Sequence, residues 1–85
     1  IEKDAIQAMC RHLLELGEHV QKIHELEIQA DDDSLEINVV LDLKLQDRSA
    51  LSIARLLQKK ASTGLSYFTG MDVRRVNIKI NEVSF

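Results

Sequence analysis

Three groups of side chains in this sequence have the types and spacing for chemistry. His12, Glu15 and His19 stand at i, i+3 and i+7, so a helix running through them would hold all three on one face. Two imidazoles and a carboxylate can ligate a transition metal, yet no fourth ligand is signalled, and a solvated polar face uses the same residues. Asp31, Asp32 and Asp33 suggest calcium, but the alternate spacing, the glycine and the distant glutamate of a calcium loop are missing. With Ser34 they read as an acidic turn whose short side chains bond local amides. His24 opens a strand pattern with no evident partner. Cys10 is the single cysteine, so no internal disulfide forms, and its place on an apolar stripe makes it a small hydrophobe. No base, orienting group, phosphate-cradling glycine loop or carboxylate pair accompanies it. The sequence assigns no catalytic residue, no metal ligand and no cofactor, and the expectation is a protein that is not an enzyme.

Arg74 and Arg75 raise a nucleic-acid question. The 85 residues carry a formal net charge of -3, which gives no general attraction to phosphate backbones or anionic lipid. Arg75, Asn77 and Lys79 fall on the polar side of a final strand, with Glu25, Glu27, Glu36 and Asp42 on the polar sides of two earlier ones. That surface has four carboxylates and no aromatic ring on which a base can stack. Opposite charges on neighbouring strands, at about 0.2–1 kcal/mol per pair, account for it. Gly64 and Gly70 are too far apart for the G-x-x-G clamp of a KH domain. No nucleic-acid partner is expected, and a KH-like RNA binder stands as a distant alternative.

The elements that must position these residues follow from periodicity. Ile6, Met9, Leu13, Leu16 and Val20, widened by Ala5, Cys10 and Leu14, predict an amphipathic first helix. Asp4 suits its first turn, and Gly17 costs roughly 1 kcal/mol inside it. From Ile23 the period becomes two, with Leu26, Ile28 and Ala30 on one side. After the acidic turn, Leu35, Ile37, Val39, Leu41, Leu43 and Leu45 alternate with polar residues, which is a strand with one dry face. A second helix follows, capped by Asp47 or Ser49, with Ala50, Ile53, Ala54, Leu57, Ala61, Leu65 and Phe68 inward. Gly64 suggests a kink and Gly70 a left-handed stop. Val76, Ile78 and Ile80 form the last strand, and the phase break before Val83 and Phe85 predicts a bulge at Asn81–Glu82.

The order is helix, strand, strand, helix, strand, in one domain spanning residues 1–85. The fold class is α+β: a two-layer αββαβ sandwich with a three-stranded mixed sheet and two helices on one face. The place of the third strand, beside the first or the second, stays open. Aliphatic side chains must carry the core, because only 4% of residues are aromatic. A lone cysteine fits a reducing compartment, and no run approaches the roughly 20 apolar residues that span a bilayer. The first residue is Ile1 rather than Met, which suits the soluble part of a longer chain, with membrane contact only through segments outside it. Val40 is apolar on a polar side, Leu51 and Leu56 lie off the stripe of the second helix, and Tyr67 and Met71 stand near its end. These five are the candidate interaction surface.

The segment "FTGMDVRRVNIKINEV" resembles the closing part of the alkaline shock protein family, through Thr69, Gly70, Met71, Val73, Val76, Asn77 and Ile78. The hairpin, the long alternating strand and the helix after it are similar more loosely, and "EKDAIQAMC" is closest to the family's membrane-anchor member. The resemblance implies a non-enzymatic interaction and oligomerisation domain of an envelope-stress protein, at the cytosolic side of a membrane. Its implied partner is itself or a related alkaline shock family protein. The same element order also occurs in ring-building modules of secretion and sporulation machines, which is the alternative.

Overall fold

Period-two alternation from Leu35 to Leu43 builds the centre of the molecule. The computed structural model, which describes residues 2–85, contains α1 (Lys3–Glu15), β1 (Val20–Ala30), β2 (Ser34–Lys44), α2 (Ala50–Thr69) and β3 (Asp72–Ser84). The sheet order is β1-β2-β3, with β1 antiparallel and β3 parallel to β2. Antiparallel neighbours need only a short turn, and here the Asp31 N–H donates to the Ser34 carbonyl at 2.9 Å. Parallel neighbours need a crossover, and α2 is that crossover. The expected αββαβ sandwich, with a mixed sheet and both helices on one face, is the fold observed.

The dry side of β2 is nearly sealed. Leu35, Ile37, Val39, Leu41 and Leu43 are each 2% exposed or less. They share the core with Leu26 and Ile28 of β1, Val76 of β3, Ile6, Cys10 and Leu14 of α1, and Ile53, Leu57, Ala61 and Leu65 of α2. Full burial of one such aliphatic side chain stabilises by about 1.5–3 kcal/mol, so this layer contact dominates the fold.

Several local expectations change. The first helix ends at Glu15 instead of running to Val20, which begins β1. Its buried stripe is Ile6, Cys10 and Leu14, while Leu16 is 60% exposed. Gly17 disfavours further helix and Val20 is β-branched, and together they override the spacing. Ser49 caps α2, its Oγ accepting the Ser52 N–H at 3.1 Å. Asp47 instead shapes the preceding turn, with φ 69°. Phe68 is half-exposed rather than inward, and Val83 and Phe85 lie outside the core. Ala30 is exposed as well.

Gly64 does not kink α2, which is continuous across it. A Cβ there would stand 2.6 and 2.7 Å from the two Leu13 methyl carbons, so the glycine lets α1 cross α2 closely. Gly70 ends the helix as expected, at φ 71°, its N–H donating to the Ser66 carbonyl at 2.8 Å. The expected bulge is present: Ile80 pairs with Leu41 and Glu82 with Asp42, leaving Asn81 between. A second irregularity leaves Arg74 between Val73 and Arg75.

Each helix also guards one sheet edge. Gln7 Nε2 of α1 donates to the Leu26 carbonyl of β1 at 2.6 Å. Gln58 Nε2 of α2 donates to the Val76 carbonyl of β3 at 2.9 Å. Open edges invite strand addition from other chains, and a helix side chain bonded to the edge opposes it.

The helix crossing has a direct test. Gly64→Leu forces a side chain into the space Leu13 fills, and overpacking of this kind costs about 1–3 kcal/mol. Urea unfolding is expected to show that loss, whereas unchanged stability would mean the helices separate freely.

Candidate functional site

The sheet side away from the helices is uncovered, and its side chains fall in cross-strand rows. Register places Gln29, Glu36 and Arg75 in one row, then Glu27, Asn38 and Asn77. Glu25, Val40 and Lys79 form the next, followed by Lys22, Asp42 and Glu82. A shallow groove crosses this face, lined by Glu25, Glu27, Asn38, Val40, Asn77 and Lys79. Asn77 Nδ2 donates to Asn38 Oδ1 at 2.9 Å, tying the middle of β3 to β2. The expected polar side of the sheet is therefore this face, and Arg75 and Lys79 of β3 lie across it from Glu25 and Glu27 of β1.

At one end the bulges gather three polar side chains. His24 Nε2 donates to Asp42 Oδ2 at 2.9 Å, and Asn81 Nδ2 donates to Asp42 Oδ1 at 3.1 Å. The two donors lie 3.4 Å apart around one carboxylate. The pairing irregularity between Ile23 and Glu25 brings His24 to this face, and the one between Ile80 and Glu82 brings Asn81. Asp42 is only 8% exposed. The bond from His24 holds its carboxyl below the usual carboxylate value of 3.8; burial pulls the other way, and Asn81 adds to the lowering. His24–Asp42 is the sole ion-pairing contact among the described residues, and it carries full charge when the ring is protonated.

Sequence reasoning left His24 without a partner, and the structure supplies one. The signal lay in the phase break around Asn81, which turns an extra polar side chain toward the face, but the partner needs the register of all three strands. His12, Glu15 and His19 do not share a helical face, because α1 ends at Glu15. His19 Nδ1 instead donates to the Lys44 carbonyl at 2.9 Å. Among the described residues, no group of three or more His, Cys, Asp or Glu side chains converges as metal ligands would. Cys10 is fully buried, and burial pushes its thiol up to about 11, with Arg11 opposing, so the thiolate is suppressed.

The five residues singled out as an interaction surface are not brought together. Val40 lies on the uncovered sheet face, at the centre of its row. Leu51, Leu56 and Tyr67 belong to the helical layer, with Leu51 61% and Tyr67 93% exposed. Leu56 lines a separate apolar groove with Leu13, Leu16 and Gly64. Met71 packs partly against the core.

No family model and no curated protein matches the sequence. Solved structures do share the fold. "MamM-CTD 215-293" superposes with a TM-score of 0.66 at 7% identity, covering 95% of this chain and 99% of that one. A MamM CTD variant in a manganese form gives 0.65 at 7% identity, covering 95% and 99%. A variant in a copper form gives 0.66 at 7% identity, covering 95% and 98%. At such identity the likeness establishes the fold alone.

These findings overturn the alkaline shock resemblance, together with the envelope-stress role, the membrane-anchor reading and the related alkaline shock partner. The matched residues have a local explanation. Thr69 Oγ1 donates to the Leu65 carbonyl at 2.7 Å and accepts the Met71 N–H at 3.0 Å, beside the left-handed Gly70. Thr-Gly before an alternating strand is thus a helix stop feeding a strand, which any such connection can use. Among the described residues, no helix is long and apolar enough to cross a membrane.

The carboxylate of Asp42 gives a pH signature. Its value is lowered on folding, so its stabilisation is complete above 3.8 and is lost as pH falls below that. Melting curves taken from neutral to acidic pH are expected to show this loss in the parent and not in Asp42→Asn. Identical acid slopes in both would remove the assigned role of His24 and Asn81.

Proposed function

We propose that this chain is a non-enzymatic interaction domain that associates with a second copy of itself. The observation that carries this reading is the uncovered sheet face. Both helices lie on the other side, and the face presents charges of both signs around Val40. Three strands with one packed layer leave a flat surface suited to another protein and poorly shaped to enclose a small substrate. Gln7 and Gln58 occupy the sheet edges, which opposes the side-by-side strand addition that would lengthen the sheet. That disfavours open assembly through edges and favours a closed pair through a face.

The neighbour named "MamM-CTD 215-293" is by that name a segment of a longer chain. By likeness of fold, the present domain serves as one part of a longer protein. A reducing compartment suits its single buried cysteine.

A second reading, response to a divalent metal ion, is favoured by one observation. His24 and Asp42, an imidazole and a carboxylate, stand side by side on the uncovered face, and both group types ligate zinc. Neighbours of the same fold are described in manganese, copper and zinc forms. Calorimetric titration with zinc tests it: heat that disappears in His24→Ala supports the reading, and heat indifferent to that change removes it.

Sedimentation over a wide concentration series tests the main proposal. A monomer–dimer equilibrium is expected, at micromolar or tighter affinity. A strict monomer at every concentration would end it.

A further inference from the structure

The helical layer, on the far side of the molecule from the open sheet face, has a groove of its own. Gly64 brings α2 close against Leu13, and the groove opens beside that crossing. Leu13 and Leu16 of α1 form one wall, and Leu56, Lys59 and Lys60 of α2 form the other. From Leu56 to Gly64 it runs about 12 Å along α2, at about 1.5 Å per residue. Leu16 is 60% exposed, and Leu13 and Leu56 are half-buried, so apolar surface stays open to water here.

The charge of the α2 wall is one-sided. Arg55, Lys59 and Lys60 are the charged residues of α2, which holds no Asp or Glu from Ala50 to Thr69, in a chain whose net charge is -3. Among the described residues none of the three belongs to an ion pair. Lys59 is exposed. Lys60 reaches toward the end of α1, its Nζ 3.5 Å from the place a Cβ on Gly17 would take. α1 is mixed instead, with Arg11 and Glu15 both exposed.

We infer that this groove receives an amphipathic helix of another protein, its apolar stripe on Leu13, Leu16 and Leu56 and a flank of carboxylates against Lys59 and Lys60. The inference concerns the layer opposite the open sheet face and does not rest on self-association. Two packed helices leave a furrow into which a ridge of side chains from a third can fit. Anchors at i, i+3 or i+4, and i+7 of an incoming helix span about 10 Å, which matches the furrow. Charge selects the partner. Carboxylates beside its stripe meet a wall with cations and no anion, whereas lysines in the same places meet repulsion.

An anionic bilayer offers the same charge but the wrong shape. Binding to it needs apolar side chains that protrude among the headgroups, whereas Leu13 and Leu56 are recessed between the helices. Glu15 and Glu18, exposed on either side of Leu16 in the sequence, add repulsion from anionic lipid. A helix avoids both costs, because it enters the furrow and sets its acidic flank on the α2 side alone. Rim charges are screened over about 10 Å at 0.1 M ionic strength, so salt weakens the complex while the apolar contact persists.

The test titrates a labelled synthetic helix of about 18 residues, with leucines at heptad spacing, glutamates on one flank and glutamine elsewhere. Fluorescence anisotropy at low salt is expected to give a Kd on the order of 10 μM. Lys59→Glu and Leu16→Ser, both at exposed positions, are each expected to weaken binding roughly tenfold with the melting temperature unchanged. The same peptide with lysine in place of glutamate is expected to bind the parent roughly tenfold more weakly. Equal affinity for the two peptides, indifference to Leu16→Ser, or no binding would overturn the inference. Capture of the domain on phosphatidylserine vesicles, lost in Lys59→Glu and with the acidic peptide ignored, would assign the surface to lipid instead. Loss of self-association in Leu16→Ser would make the groove a contact between copies and overturn the inference as well. A parent that stays monomeric yet binds the acidic peptide would end the self-association reading and leave this one standing.

Discussion

The structure depends on one contact, the seal between the apolar side of β2 and the two helices. β2 is the central strand, with neighbours on both sides, so its dry face has no way to reach water once the helices settle. Five aliphatic side chains from one strand, each essentially buried, fix the register of both outer strands, because a slip of one residue would turn Leu26 and Ile28 of β1, or Val76 of β3, outward. Gly64 lets α1 approach α2 closely enough to complete the seal.

Sealing one side determines the other. Polar residues alternate with the buried ones, so the opposite face must carry what the core rejects: Glu25, Glu27, Asn38, Asn77 and Lys79, with Val40 as its apolar centre. The helices reach around to bond the sheet edges through Gln7 and Gln58, which leaves the broad face as the surface through which association can proceed without disturbing the fold. The bulges serve the face too. They turn His24 and Asn81 onto Asp42 and satisfy a carboxylate that would otherwise be poorly hydrated on the central strand. Among the described residues, no buried side-chain nitrogen or oxygen lacks a partner.

Much of this architecture is written in short-range patterns. β2 is legible because strict alternation has one meaning, and the bulge at Asn81 is legible because Val83 breaks the phase of Val76, Ile78 and Ile80. Gly70 announces the helix end by the conformation it alone adopts readily. The end of α1 is not legible, since Leu16 and Val20 keep helical spacing while Gly17 and the pull of β2 decide otherwise. Strand order is not legible either, and the candidate face depends on it. Glu25 and Lys79 are 54 positions apart in sequence, and only the order β1-β2-β3 sets them on either side of Val40. The partner of His24 was hidden for the same reason. The likeness read into "FTGMDVRRVNIKINEV" shows the reverse hazard: residues that stop a helix and begin a strand look like a signature when they are local mechanics.

The account reduces to the claim that the helices close one side of the sheet and a second copy meets the other. Amide spectra recorded across a dilution series test this most directly, because they report which residues sense the partner. The account predicts concentration-dependent shifts at Glu25, Asn38, Val40, Asn77 and Lys79, side-chain amides included, with Leu51, Leu56 and Tyr67 unmoved. Shifts confined to the helical layer, or none at any concentration, would contradict it.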